Sequence, residues 1–294
     1  MIRLIVNADD LGSSHPRDRG IFSAFSAGIV TSASLLANGP SFVEAAALAR
    51  ALRLPVGVHL NLAEGPALTG PIAGLTNAAG NFPGKAGLRN LLQDGHLNPT
   101  EVLKELFAQI ERVRAAGLEP DHLDTHQHCL LFPALTEAIA EVAIATRIRA
   151  LRLPSPAEPG NDGPGQASTA ADGQHPGIYP MPSASLAAEL ALYRCLAPTV
   201  RQILKGKPLW TPDGLWGMPL LNRLDTGMLT ATLESLPQGT WELMVHPGYR
   251  DPNDPFGGPE RETELAALTS PVVRGLILER GIELTSFGEC ACAC

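Results

Sequence analysis

The chain lacks any apolar run long enough to cross a bilayer, and its start lacks a basic segment leading into an apolar stretch. A soluble, cytoplasmic protein is the expectation. There is no Lys/Arg-rich block either: 22 basic and 30 acidic residues give a formal charge of -8, which argues against a nucleic acid held through its phosphates. A neutral or cationic small substrate suits this charge better. The five cysteines (Cys129, Cys195, Cys290, Cys292 and Cys294) are odd in number and crowd the end, so they form no secreted disulfide framework. Ala291 stands where a prenylation box needs cysteine. The tail reads as a frayed terminus with incidental thiols. Internal repeats are missing, as is a linker that would divide the 294 residues.

What is present is a hydrophobic content of 45%, ample for a core, and an alternation of strand-like and helical runs. Strands are expected at 4–6, 32–36, 56–60, 122–124, 150–153, 208–211, 241–245 and 282–286. Eight is the count a barrel needs. Helix starts are marked by Ser41 with Glu44 and by Asn98-Pro99-Thr100-Glu101, and Ser270-Pro271 opens a further helix. Two stretches break the rhythm, residues 63–97 and 154–184, both rich in Gly and Pro, and both are expected to be loop insertions in a single α/β domain spanning 1–294.

The chemistry-bearing residues recur at strand ends. Asp9 and Asp10 follow the first strand, His59 ends the third, His126 follows the fourth and His246 ends the seventh, with Asp213 expected after the sixth. In a parallel barrel these ends converge on one face, where such folds build their sites. Adjacent carboxylates repel unless a cation or shared proton relieves them, and with imidazoles nearby they carry the ligand types of a hydrolytic metal centre. Blander readings stand beside this one. Asp9 or Asp10 would serve as a helix cap, His59 as a core histidine, and His246 as a turn residue ahead of Pro247-Gly248. On an extended backbone His126 and His128 would face the same side and line one cavity, or else lie on the surface. Asp213 and Trp216 make either a turn with a packed indole or a carboxylate beside an aromatic face for a sugar ring.

Asn7-Ala-Asp-Asp-Leu-Gly, Gly57-Val-His-Leu-Asn-Leu, His122-Leu-Asp-Thr-His-Gln-His and His246-Pro-Gly-Tyr resemble, in order and spacing, the motifs of the YdjC-like carbohydrate deacetylases, a family that includes the ChbG and HpnK types. Gly28 to Asn38 and Arg280 to Phe287 are similar to it as well; Leu130 departs from it, standing where the family often has histidine. The resemblance implies a distorted TIM-like (β/α) barrel that removes N-acetyl groups from amino sugars such as chitooligosaccharides. It implies one divalent metal held by Asp10, His59 and His126, with Asp9 as catalytic base and a protonated His246 as general acid. Zinc is the first expectation, and manganese, cobalt, nickel or magnesium are the others. His128, Asp213, Trp216 and Arg250 are expected to contact the substrate. Two rivals stay open: a metal-dependent hydrolase of another amide, an ester or a phosphoester, and a non-catalytic sugar-binding barrel. Only Arg250 lies near a motif to receive a phosphate. A homo-oligomer is compatible with the pattern, which sets no oligomeric state.

Overall fold

A computed structural model describes residues 1–95, 97–157 and 182–292. Its centre is β1 (Ile2–Leu11), a strand buried along almost its whole length, as a strand covered on both faces must be. The other strands are β2 (Ser32–Leu35), β3 (Val56–Leu60), β4 (His122–Thr125), β5 (Ala150–Leu151), β6 (Gly214–Trp216), β7 (Gly239–Val245) and β8 (Ile282–Leu284). All pairings are parallel, in the order β5-β4-β3-β2-β1-β7-β6. One edge of β1 is taken by β7 from Ile2 to Ala8; the other pairs first with β8 and then, from Asn7 onward, with β2. Among the described residues the two ends of the sheet approach through isolated bridges alone, Ala150 of β5 to Trp210 and Pro156 to Leu215 of β6. The result is a curled parallel sheet, a distorted and incompletely laddered (β/α) barrel.

Around it lie α1 (His15–Ala27), α2 (Phe42–Leu52), α3 (Gly84–Asp94), α4 (Pro99–Ala115), α5 (Pro133–Thr146), α6 (Ala184–Leu204), α7 (Thr226–Ser235), α8 (Glu260–Leu268), α9 (Pro271–Glu279) and α10 (Phe287–Cys292). Asn98 caps α4 by accepting from Thr100 N, as its sequence predicts. Ser41 does not cap α2 with its side chain; its hydroxyl donates instead to Asp18 on α1.

Three expectations change. The sixth strand lies at Gly214–Trp216 rather than 208–211, because the earlier segment contributes only the Trp210 bridge. Residues 63–97 are not structureless: they contain α3 and a bridge between Pro66 and Asn81, and Leu88 of α3 is buried. The tail is helical through Cys292, with Cys290 buried at 2% exposure beside Phe287, so it is not frayed there. Most of the expected insertion at 154–184 lies outside the described residues, as does Cys294. Among the described residues no helix is long and apolar enough to cross a membrane.

Candidate metal centre

The carboxyl ends of β1, β3, β4 and β7 open into a cleft of about 800 Å³. Asp9 and Asp10 both line it, although neighbours on a strand ordinarily point to opposite faces. Asp10 has φ 67°, in the left-handed region that non-glycine residues rarely adopt, and this bend ends the alternation. His59 is presented near the end of β3, and His126 directly after β4.

Asp10, His59 and His126 converge, their candidate ligand atoms all within 4.8 Å of one another. His126 Nδ1 is 3.0 Å and His59 Nε2 3.5 Å from Asp10 Oδ1, yet that oxygen is buried with no aligned hydrogen-bond donor. Close approach without donor alignment suits groups that face a common cation. Two imidazoles and a carboxylate also leave coordination positions for water and substrate. A second trio, Asp9, His59 and Asp124, is compact as well. Both of its carboxylates are already paired with the Arg152 guanidinium, and Asp124 engages His59 Nδ1, so the first trio is the better cation site.

Beneath these residues lies a buried ionic network. Arg152, 1% exposed, donates to both oxygens of Asp9 at 2.6 Å and to Glu242 Oε1 at 2.7 Å, and it reaches Asp124 Oδ2 at 2.7 Å. Burial alone would raise the Asp9 pKa, but Arg152 outweighs it and holds the carboxyl below its ordinary range. Burial wins at Glu242, pushed up to about 7, where the second carboxylate oxygen has no partner. Asp124 stays ionised because His59 and Arg152 overcome its desolvation. With its other oxygen Asp124 takes His59 Nδ1 at 2.9 Å, the carboxylate–imidazole pairing that orients metal-bound histidines. Glu64 Oε2 lies 3.5 Å from His126 Nε2 on the cleft side.

Without a cation the two imidazoles hold protons strongly. Burial opposes the charge on His59, but Asp124 and Asp10 raise its pKa to about 10; at His126 burial is overcome chiefly by Asp10, giving about 9. His246 behaves in the opposite way. Burial lowers it to about 3, with Arg261 and Arg17 adding to the effect, so the ring rests neutral rather than protonated. Its carbonyl accepts from Arg17 Nη1 at 3.0 Å and Arg261 Nη1 at 3.2 Å, its amide donates to Glu264, and its ring meets the edge of Phe256.

His128 lines the cleft but stands apart from the cation trio, packed at right angles on Tyr193 of α6. It does not share an extended backbone with His126, because Gln127 and His128 both adopt left-handed conformations (φ 58° and 53°). Leu130 is fully buried in the core. Asp213, Trp216 and Arg250 do not line the cleft. Since β6 begins after Asp213, that carboxylate sits at the amino end of the strand, where it accepts from Thr240 N. Trp216 is buried edge-on against Trp241, and Arg250 is exposed. Sequence reasoning overlooked Arg152 and Glu242. A charged residue inside each of the runs Leu151-Arg152-Leu153 and Trp241-Glu242-Leu243 was the available signal.

Carboxylates and imidazoles gathered at the carboxyl ends of a curled parallel sheet put this chain among the (β/α) barrel proteins that carry a polar, metal-competent site on that face. The chain belongs to the YdjC-like protein family, which it matches over residues 3–279. It is 34% identical to a carbohydrate deacetylase of Mus musculus, covering 98% of this chain and 94% of that one. It is 31% identical to a chitooligosaccharide deacetylase of Enterobacter sp. (strain 638), covering 97% of each. A solved structure from Enterococcus faecalis V583, named for cellobiose-phosphate cleavage, superposes with a TM-score of 0.70 at 26% identity over 98% of both chains.

Proposed function

We propose that this protein is a metal-dependent hydrolase that removes an N-acetyl group from an amino sugar and releases acetate. The observation that carries the reading is the meeting of Asp10, His59 and His126 in a cleft that Asp9 and His246 also line. Relatives named carbohydrate and chitooligosaccharide deacetylases support it. Asp10, His59 and His126 would hold the cation, and zinc suits two imidazoles with one carboxylate. When bound, such an ion polarises the amide carbonyl and acidifies water.

The remaining work falls to side chains of the chain itself. Asp9 is ionised, and of its roughly four acceptor positions Asn7 and Arg152 occupy three, leaving one to take a proton from attacking water. Attack forms a C–O bond to the acetamide carbon; collapse breaks the C–N bond, and the amine leaves with a proton. His246 begins neutral, so the proton it delivers is one acquired during turnover. The charge inventory favours an uncharged amide over a phosphate ester. Among the described residues, the cations lining the cleft are already engaged: Arg17 on backbone carbonyls and Asp254, and Lys85 on Glu189 at 2.6 Å. Leu36, Met218, Leu221, Met244 and Phe256 supply apolar wall for a sugar face or an acetyl methyl.

The test is acetate release by zinc-loaded protein from N-acetylglucosamine, chitobiose and longer chitooligosaccharides. Stoichiometric acetate and free amine, abolished in His59→Ala and His126→Ala, are expected. Binding of these sugars without acetate would instead indicate a sugar-binding barrel.

A further inference from the structure

Under the cation trio a chain of polar groups runs toward the opposite end of the barrel. Ser34 of β2, fully buried, is its node. Its Oγ accepts from Asn7 Nδ2 at 2.7 Å, donates to Asp124 Oδ2 at 2.8 Å and lies 3.3 Å from His122 Nε2. A hydroxyl has one proton and two lone pairs. With the proton committed to the Asp124 carboxylate, His122 must serve Ser34 as a donor through Nε2–H. Asp121 Oδ1 takes the other ring nitrogen at 2.7 Å, while its Oδ2 accepts from Gly288 N of α10.

The seat of His122 is shaped for an imidazole. The ring is fully buried and stacks on Phe287 with centroids 3.9 Å apart and planes within 17°. Above it, β3 carries Gly57, where a Cβ would come within 2.4 Å of the ring. The glycine two residues before His59 therefore makes room for the group that steadies the carboxylate behind His59. The active-site reading uses neither Ser34 nor His122.

We propose that Ser34 and His122 are positioning residues for the metal centre: together they fix Asp124, and through it the ring of His59, in the orientation that grips the cation. The inference rests on the metal-dependent reading above. Losing an outer partner of a metal-ligating histidine typically costs about 10- to 100-fold in metal affinity.

The experiment measures the zinc dissociation constant of the full-length protein by chelator competition, with no sugar present, alongside KM and kcat for the best acetylated substrate. Ser34→Ala and His122→Phe, which keeps the stack on Phe287, should each weaken zinc by up to about 10-fold, the lower end of the cost of losing Asp124 itself, while KM stays unchanged. His122→Gln places an amide donor near the position of Nε2 and should recover most of the affinity. Wild-type affinity in both Ser34→Ala and His122→Phe would overturn the proposal, as would His122→Gln falling as far as His122→Phe. Should His122→Phe fail to fold, Ser34→Ala decides alone. A wild-type protein that binds no zinc would sink the metal-dependent reading itself, whereas equal affinities across a zinc-binding series would sink only the positioning role.

Discussion

Metal loading should expel two protons at neutral pH, because the two imidazoles facing Asp10 are drawn to about 10 and about 9 in the absence of a cation. A histidine must give up the proton on its coordinating nitrogen before it binds a metal. His59 keeps the proton that Nδ1 shares with Asp124 and loses the one on Nε2, and His126 loses the one on Nδ1, which faces Asp10. Asp10 adds no proton, since the imidazoles hold its carboxyl well below its ordinary range against the opposing effect of burial. At pH 7 both rings lie at least about two units below their midpoints, so the apparent affinity should rise by about 100-fold for each pH unit between about 6 and 8. Imidazoles with ordinary midpoints near 6.5 would give a slope that is nearly flat by pH 8. Calorimetric titration with zinc in buffers of different ionisation enthalpy counts the protons directly. Release of fewer than about one proton at pH 7 would refute the assignment of both rings as ligands.

The same shifts set the pH behaviour of metal-free protein. A raised folded-state pKa contributes stability that is complete below about 6.5 and is lost as pH climbs toward 9 and 10, so its melting temperature should fall across that window more steeply than that of loaded protein. Asp9→Asn should keep its zinc and lose about 100-fold or more in kcat, the scale of general-base loss; full rate with metal bound would show that Asp9 is not the base. Arg152→Met would leave Asp9, Asp124 and Glu242 buried around no cation, and urea unfolding should register a loss of about 3–5 kcal/mol. Gly57→Ala forces a methyl against the buried His122 ring and should cost about 1–3 kcal/mol in the same assay.

The strand ends were legible because each carries a short apolar run followed by a polar group, a local pattern that survives in one dimension. Asp9, Asp10, His59, His126 and His246 could therefore be set on one face without coordinates. Asp213 misled for the same reason. Pro208 to Thr211 has a strand's composition, but the ladder with β7 begins only at Gly214, and that shift moves Asp213 from the carboxyl end of a strand to the amino end. His126 and His128 do line one cleft, but not by way of the extended backbone expected of them, since Gln127 and His128 both turn left-handed. The helix α3 went unseen among glycines and prolines because what orders it is tertiary: Leu88 is buried, and Lys85 and Arg89 pair with Glu189 on α6.

Arg152 shows where reading by segments stops. In sequence it is one cation in a short apolar strand; in the fold it is the countercharge for three carboxylates from β1, β4 and β7. Such a network is a poor source of stability, since desolvating the charges offsets most of their attraction. Its effect lies in geometry. The fork of Arg152 fixes both oxygens of Asp9, and Asp124, held between Arg152 and Ser34, fixes His59. Both residues are thus aimed before any substrate arrives, and reorganisation avoided during the reaction is barrier lowered. A hydrophobic replacement of the whole network should then give a protein that folds at least as well and turns over far more slowly.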